Sequence, residues 1–241
     1  MAKNSHGFQF KQFFVAHDQC AMKVNTDGIL LGAIADVVHC QRILDLGAGS
    51  GLITLMLAQR SASDVEIVGV ELDQAAFLQA KQNAANSPWA NRIRLLQADV
   101  FSDFFANQGL AQFDLIVSNP PYFEHSLASR SHQRDLARAA SQSHFVWLKQ
   151  AQQWLAPQGK ISLILPVEAG EKLIEQAFSL ELFCIEKWQI CTKIGKAPKR
   201  LILTFSHKNQ PKVEKSLNIY NADNQYSFEF QALTKDFYLN F

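Results

Sequence analysis

The sequence predicts an α/β protein with a doubly wound, mostly parallel sheet of seven strands ending in a C-terminal antiparallel hairpin. Three observations carry that reading. Short apolar runs alternate with helix-like stretches from residue 43 to residue 179, as in a sheet covered on both faces. A glycine-rich junction, DLGAGSG over residues 45–51, joins the first run to the first helix-like stretch. Polar residues stand at or just beyond the carboxyl ends of successive runs, at Asp45, Glu71, Asp99 and Asn119. Ligands of such sheets bind at those ends.

The chain of 241 residues suits a single domain, with a cap segment over 1–42, a catalytic core over 43–207 and a tail over 208–241. Apolar residues make up 48% and charged residues 19%, an ordinary globular balance. With 23 basic and 22 acidic residues the net charge is +1, which excludes a polybasic nucleic-acid binder but not a local basic patch. The start, MAKNSHGFQFKQFF, lacks a signal-peptide core, and no apolar run approaches the ~18 residues of a membrane span. Cys20, Cys40, Cys184 and Cys191 show no metal-ligand spacing, so buried thiols and no metal are expected.

In chain order, residues 8–17 could pair as a short strand or cover a sheet edge. Asn25 or Thr26 can cap a helix carrying Ile29, Leu30, Ala33 and Ile34 on its apolar side. Residues 43–46 end a buried strand and 52–60 form the helix after it. Between them Gly47, Gly49 and Gly51 allow bare backbone and helix-start N–H groups to face a ligand. A dinucleotide fingerprint would need glycine at position 52, which is Leu52, and no phosphate-cradling G-K-[ST] follows. Residues 65–70 are the second strand, delivering Glu71, whose carboxylate can accept both hydroxyls of a ribose. Asp73 reads as the cap of a helix over 74–86. Strands at 93–98 and 113–117 follow, then a helix over 145–155 stopped by Pro157 and Gly159. A strand at 160–167, a helix at 168–179 and strands at 182–192 and 200–206 complete the core. The tail is polar until Tyr226, and its last aromatics should dock back on the fold.

The fourth strand delivers Ser118-Asn119-Pro120-Pro121-Tyr122. A proline pair neither extends a central strand nor starts a helix readily, so the backbone there is held extended. The chemistry suits a planar nitrogen, an adenine amine or a glutamine amide, whose lone pair is delocalised and poorly nucleophilic. The Asn119 side-chain oxygen and the Pro120 carbonyl can accept its two N–H bonds, meeting charge as it develops. Tyr122 offers a flat face for stacking, and no strong base is required. Two basic segments lie outside this motif. Arg130, Arg134 and Arg138 share one face if helical, and Lys193, Lys196, Lys199 and Arg200 crowd the turn between the last two strands. Each set can contact RNA phosphates or simply face solvent.

DLGAGSG, GVELD, QAD and SNPPY, in that order and spacing, resemble the class I S-adenosylmethionine (SAM) amino-methyltransferases, with their Rossmann-like fold. FKQFFVAHDQCAMKVNTDGILLGA before the glycine junction and KAPKR near the end are similar to the bacterial tRNA1(Val) adenine-37 N6-methyltransferase family. Asn25 stands where that pattern has glycine. The resemblance implies SAM as cofactor, tRNA as partner, no membrane or metal, a cytoplasmic location and a monomer. It implies that Gly47, Gly49 and Gly51 lie along the methionine end of SAM, with Thr26 and Asp27 offering polar contacts to its ammonium and carboxylate. Asp45, Glu71, Asp99 and Val100 would complete the cofactor site, Asp99 accepting the adenine amine. Asn119, Pro120, Pro121 and Tyr122 would hold the target, Asn119 also bordering the cofactor.

Other readings share this core. A protein glutamine N5-methyltransferase uses the same N-P-P-Y chemistry, but such enzymes usually carry an N-terminal helical domain and only 42 residues precede the first strand. An adenine-N6 methyltransferase acting on ribosomal RNA is the nearest variant. A catalytically silent SAM-binding RNA scaffold is a third, against which Asn119 and Tyr122 argue.

Overall fold

A computed structural model of the chain describes residues 6–102, 112–120 and 143–240. Its strands are β1 (Gly7–Gln9), β2 (Phe14–Ala16), β3 (Arg42–Leu46), β4 (Glu66–Glu71), β5 (Ile93–Gln97), β6 (Phe113–Ser118), β7 (Leu155–Pro166), β8 (Phe183–Lys193), β9 (Pro198–Ser206) and β10 (Val213–Tyr220). Its α-helices are α1 (Thr26–Ile34), α2 (Leu52–Arg60), α3 (Gln74–Ala85), α4 (His144–Gln152), α5 (Val167–Ala177) and α6 (Phe228–Thr234). Strands β3 to β10 form one sheet in the order β10-β8-β9-β7-β6-β3-β4-β5. Pairing is parallel from β7 through β6, β3 and β4 to β5, and antiparallel where β9 lies between β7 and β8.

The alternation of side chains along the central strands builds a core on each face. Leu44, Val68 and Ile116 point into a cluster with Trp147 and Leu148 of α4 and Leu173 of α5. Their neighbours Ile43, Ile67 and Leu115 point the other way, against Leu30 and Leu31 of α1, Ile53 and Leu57 of α2 and Phe230 of α6. Each fully buried aliphatic side chain contributes about 1.5–3 kcal/mol, so burial outweighs local preference in these strands.

The expected mostly parallel sheet and antiparallel C-terminal hairpin are both present, with eight strands where seven were expected. The added strand is β10, which pairs parallel to β8 at the sheet edge. Its first four residues are exposed and only Leu217 and Ile219 are buried, so its alternation is half hidden. Residues 8–17 form not a single strand but most of a small hairpin of β1 with β2, whose Phe10, Phe13 and Val15 share a cluster with Ile93 of the edge strand β5. Helix α4 ends at Gln152, before Pro157 and Gly159, which instead lie within the irregular start of β7. Asp73 caps α3 by accepting from the Ala76 N–H (2.9 Å). Asn25 caps α1 by accepting from the Gly28 N–H (2.8 Å), a role that suits Asn as well as the glycine expected there. The tail docks as anticipated: Phe237 is buried with Phe10, Phe13 and Val15 of the hairpin, and its carbonyl accepts from the Lys11 N–H (2.8 Å). The four cysteines are unpaired and half-buried rather than fully buried.

Helices α1 and α2 approach closely at Gly32, where an added Cβ would stand 2.8 Å from Met56 Sδ and 2.9 Å from Met56 Cβ. Alanine would gain about 0.5–1 kcal/mol of helix stability there, but overpacking costs about 1–3 kcal/mol. Gly32→Ala is therefore expected to destabilise the protein by about 1–2 kcal/mol. A urea midpoint at or above the wild-type value would contradict this packing.

Candidate active site

The site forms where the sheet reverses its winding. Strands β3, β4 and β5 step one way and β6 returns on the far side of β3, leaving a crevice beyond their carboxyl ends, the usual ligand position of such sheets. Asp45 lies in register with Gly69 and Val117, so Gly47, Glu71 and Asn119 emerge together one step further on. Glu71 is paired with Gln97, which brings Asp99 to the same edge. Ser118 fastens β6 to β3, its hydroxyl donating to the Leu46 carbonyl (2.6 Å).

The glycine turn is held from beneath. The N–H groups of Gly47 and Ala48 both donate to the Val70 carbonyl at 2.9 Å. Gly47, Gly49 and Gly51 have φ of +75°, +55° and +80°, a region that favours glycine. At Gly49 an added Cβ would meet nothing within 4 Å, so this backbone faces open space. Glu71 stands beside it, one carboxylate oxygen accepting from the Gly49 N–H (2.7 Å) and the other from the Asp73 N–H (2.9 Å). Burial raises its pKa, and those N–H donors work against the rise.

Asp45 is placed differently from expectation. It is 0% exposed, under the turn rather than at the crevice surface, so it is not positioned to touch a ligand directly. One oxygen accepts from the Thr54 N–H (3.0 Å) and hydroxyl (2.6 Å), which fastens the start of α2 to β3. The other oxygen is buried with no hydrogen-bond partner among the described residues. Burial pushes the carboxyl up to about 7 against the two Thr54 hydrogen bonds, and the nearby Glu71 adds to the rise.

At the mouth of β6, Asn119 is half-buried with its Nδ2 3.7 Å from Met22 Sδ, and its Oδ1 is buried without a hydrogen-bond donor among the described residues. Pro120 is buried beside it. Asp99 accepts from the Phe101 N–H (2.9 Å) at the end of β5, and Val100 packs into the core below. Thr26 is exposed at the start of α1. Asp27 and Arg200, assigned to cofactor and RNA respectively, engage each other instead, the guanidinium Nε lying 2.9 Å from the carboxylate. Lys193 donates to the Asn224 side chain (2.8 Å), whereas Lys196 and Lys199 lie exposed near the β8–β9 turn. Pro121, Tyr122, Arg130, Arg134 and Arg138 lie outside the described residues.

Four contributors were not anticipated from sequence. Thr54 belongs to no motif, and Met22 lies within the FKQFFVAHDQCAMKVNTDGILLGA segment without a role of its own there. Gln79 and Asn83 of α3 did leave a signal, since two amides four residues apart interrupt the alanine face formed by Ala76, Ala80 and Ala84. The open backbone at Gly49, the adjacent Glu71 carboxylate and the unpartnered Asn119 oxygen fit a nucleoside cofactor beside a target amine.

Residues 24–182 match the family described as the methyltransferase small domain, and the fold is that of the Rossmann-like methyltransferases. A solved structure described as a predicted O-methyltransferase from Agrobacterium tumefaciens superposes with a TM-score of 0.68 at 22% identity, covering 88% of this chain and 96% of that one. Two curated relatives are much nearer in sequence. The tRNA1(Val) (adenine(37)-N6)-methyltransferase of Glaesserella parasuis is 59% identical over 233 residues, covering 97% of each chain. That of Actinobacillus pleuropneumoniae is 58% identical over 236 residues, covering 98% of each. The chain belongs to the tRNA1(Val) (adenine(37)-N6)-methyltransferase family, whose methyl donor is SAM.

The depth of Asp45 has a measurable consequence. Below pH ~4 its carboxyl is protonated both folded and unfolded; above that the unfolded chain ionises while the buried group resists up to about 7. This group therefore makes stability fall as pH rises from about 4 to about 7, by on the order of a few kcal/mol, and Glu71, also raised, acts in the same direction. Asp45→Asn is expected to flatten that decline. An unchanged slope in denaturation midpoints between pH 4 and 8 would show that Asp45 is not the buried titrating group.

Proposed function

We propose that the chain transfers a methyl group from SAM to the exocyclic N6 of adenine 37 in tRNA1(Val), acting in the cytoplasm where that tRNA is found. The observation that carries the chemistry is the Asn119 Oδ1, a buried acceptor with no hydrogen-bond donor among the described residues. Leaving such a group unsatisfied costs about 1–3 kcal/mol, which a bound amine would offset. It stands at the end of β6, beside the glycine turn that ends the adjacent β3, so target nitrogen and methyl donor meet over adjacent strand ends. SAM supplies an electrophilic methyl when bound. The protein's part is to hold the amine through Asn119 and the Pro120 carbonyl, in line with that methyl and away from water. The amine's proton can leave after transfer, so the site needs no strong base.

For the cofactor, Glu71 is the carboxylate best placed for ribose hydroxyls, because it already borders the open backbone at Gly49. Asp99 at the end of β5 suits the adenine amine. Asp45 serves as a positioning residue through Thr54. The tRNA assignment rests on the close relatives, which carry it in their names. Of the described cations proposed to touch RNA, Lys196 and Lys199 are the most available, since Arg200 is paired with Asp27 and Lys193 with Asn224.

Asn119→Ala is expected to lower single-turnover methylation of a tRNA1(Val) transcript by on the order of 10²–10³, by analogy with loss of one preorganised oxyanion donor. Affinity for S-adenosylhomocysteine should stay within a few-fold of wild type. Near-normal turnover in that variant would overturn the assigned chemistry.

If RNA is the substrate, Lys196→Ala/Lys199→Ala should bind the transcript more weakly, with a slope of log K against log salt shallower by roughly 0.7–0.9 per lost contact. A slope identical to wild type would leave those lysines as a solvated turn.

A further inference from the structure

Helix α3 presents two almost fully buried amides, Gln79 (6% exposed) and Asn83 (4%), on the same helical face. Asn83 joins two parts of the site that are far apart in sequence. Its Nδ2 donates to the Ser50 carbonyl, inside the glycine turn, at 2.9 Å, and to the Ala16 carbonyl at 2.8 Å, while its Oδ1 accepts from the Ala16 N–H at 3.0 Å. Gln79, one turn earlier, holds the chain that follows Ala16. Its Oε1 accepts from the Gln19 N–H and the Cys20 thiol, both at 3.1 Å, and its Nε2 donates to Asp18 at 2.6 Å. Burial pushes the Cys20 thiol up to about 12, so it stays protonated and able to donate. The Val24 N–H then donates to His17 Nδ1 (3.1 Å), closing a loop over 17–24, and burial keeps that imidazole neutral enough to accept.

That loop carries Met22 to Asn119. Between residues 18 and 23 the chain is exposed apart from half-buried Cys20, so apolar burial contributes little to its position. The amides of α3 are what fix it. Two buried polar side chains with satisfied hydrogen bonds hold only one arrangement well, because any shift leaves buried groups unpaired.

We propose that Asn83 and Gln79 are positioning residues that couple the glycine turn to the 16–25 loop, so that cofactor on the turn orders the wall of the target-amine pocket. The proposal rests on the SAM-dependent reading of the site. Movement of Ser50 as ligand settles on Gly49 passes through one amide to Ala16, and through Gln79 to the loop bearing Met22. The same link works in reverse, since coupling between two sites is reciprocal. Substrate and cofactor would then each tighten the other without sharing a contact.

Hydrogen exchange of the full chain, with and without S-adenosylhomocysteine, tests this without any tRNA. In the wild type, ligand should raise protection across residues 16–25 as well as across 45–52, by roughly tenfold, in the usual range of coupling factors. Asn83→Ala should keep the response at 45–52 and lose it at 16–25. Gln79→Ala, which leaves the turn untouched, should keep the response near Ala16, lose it over 18–25, and raise the KM for tRNA more than it lowers kcat. It also decides the matter if Asn83→Ala fails to fold. A wild type whose 16–25 segment ignores the ligand would overturn the proposal, as would variants that lose melting temperature but retain the response. Wild type that shows the coupled protection yet methylates no tRNA would instead remove the substrate assignment and leave the coupling standing.

Discussion

Everything at the active end of the sheet depends on how the carboxyl ends of β3 and β4 grip the turn between β3 and α2. The Val70 carbonyl takes two successive N–H groups from Gly47 and Ala48, Glu71 takes a third from Gly49, and Asp45 holds the first turn of α2 through Thr54. A backbone with three positive φ angles in five residues has lost the option of ordinary helix or strand pairing, so these outside acceptors replace it. The result is a stiff concavity whose open side is made of backbone. Preorganisation of that kind lets a cofactor bind without first ordering its site.

The position of the site follows from the sheet. Central strands covered on both faces can expose polar chemistry only at their ends, and the reversal between β3 and β6 opens a gap at one of those ends. Ser118 closes the floor of that gap by bonding to Leu46, so Asn119 begins at a fixed height above it.

Much of this was legible in the sequence because apolar pattern and ligand position are set by the same strands. Helix α2 has the bounds expected, since its apolar run starts at the glycine turn and stops at Arg60. Strand β10 was hidden because an edge strand with an exposed first half alternates only near Leu217 and Ile219. The end of α4 was misjudged because Trp154 and Leu155 continue the apolar signal after the chain has left the helix. Within the site, sequence placed Asp45 and Glu71 at strand ends but could not give their depth. One residue faces α2 and is sealed, while the next strand's carboxylate reaches the crevice. The pairing of Asp27 with Arg200, 173 residues apart, is likewise a product of tertiary contact that no local pattern announces.

The docking of Phe237 against Phe10, Phe13 and Val15 has a temporal side. The β1–β2 hairpin is synthesised well before the ring that completes its core, and Lys11 must wait for the Phe237 carbonyl. Contacts spanning nearly the whole chain form late, because loop closure is unfavourable until both partners exist. The cap that carries Ala16 to Met22 toward the target pocket is therefore finished only after Phe237 has been made. A nascent chain can have its sheet and glycine turn in place before it has a complete pocket wall, so competence to modify a substrate waits on the arrival of the segment around Phe237.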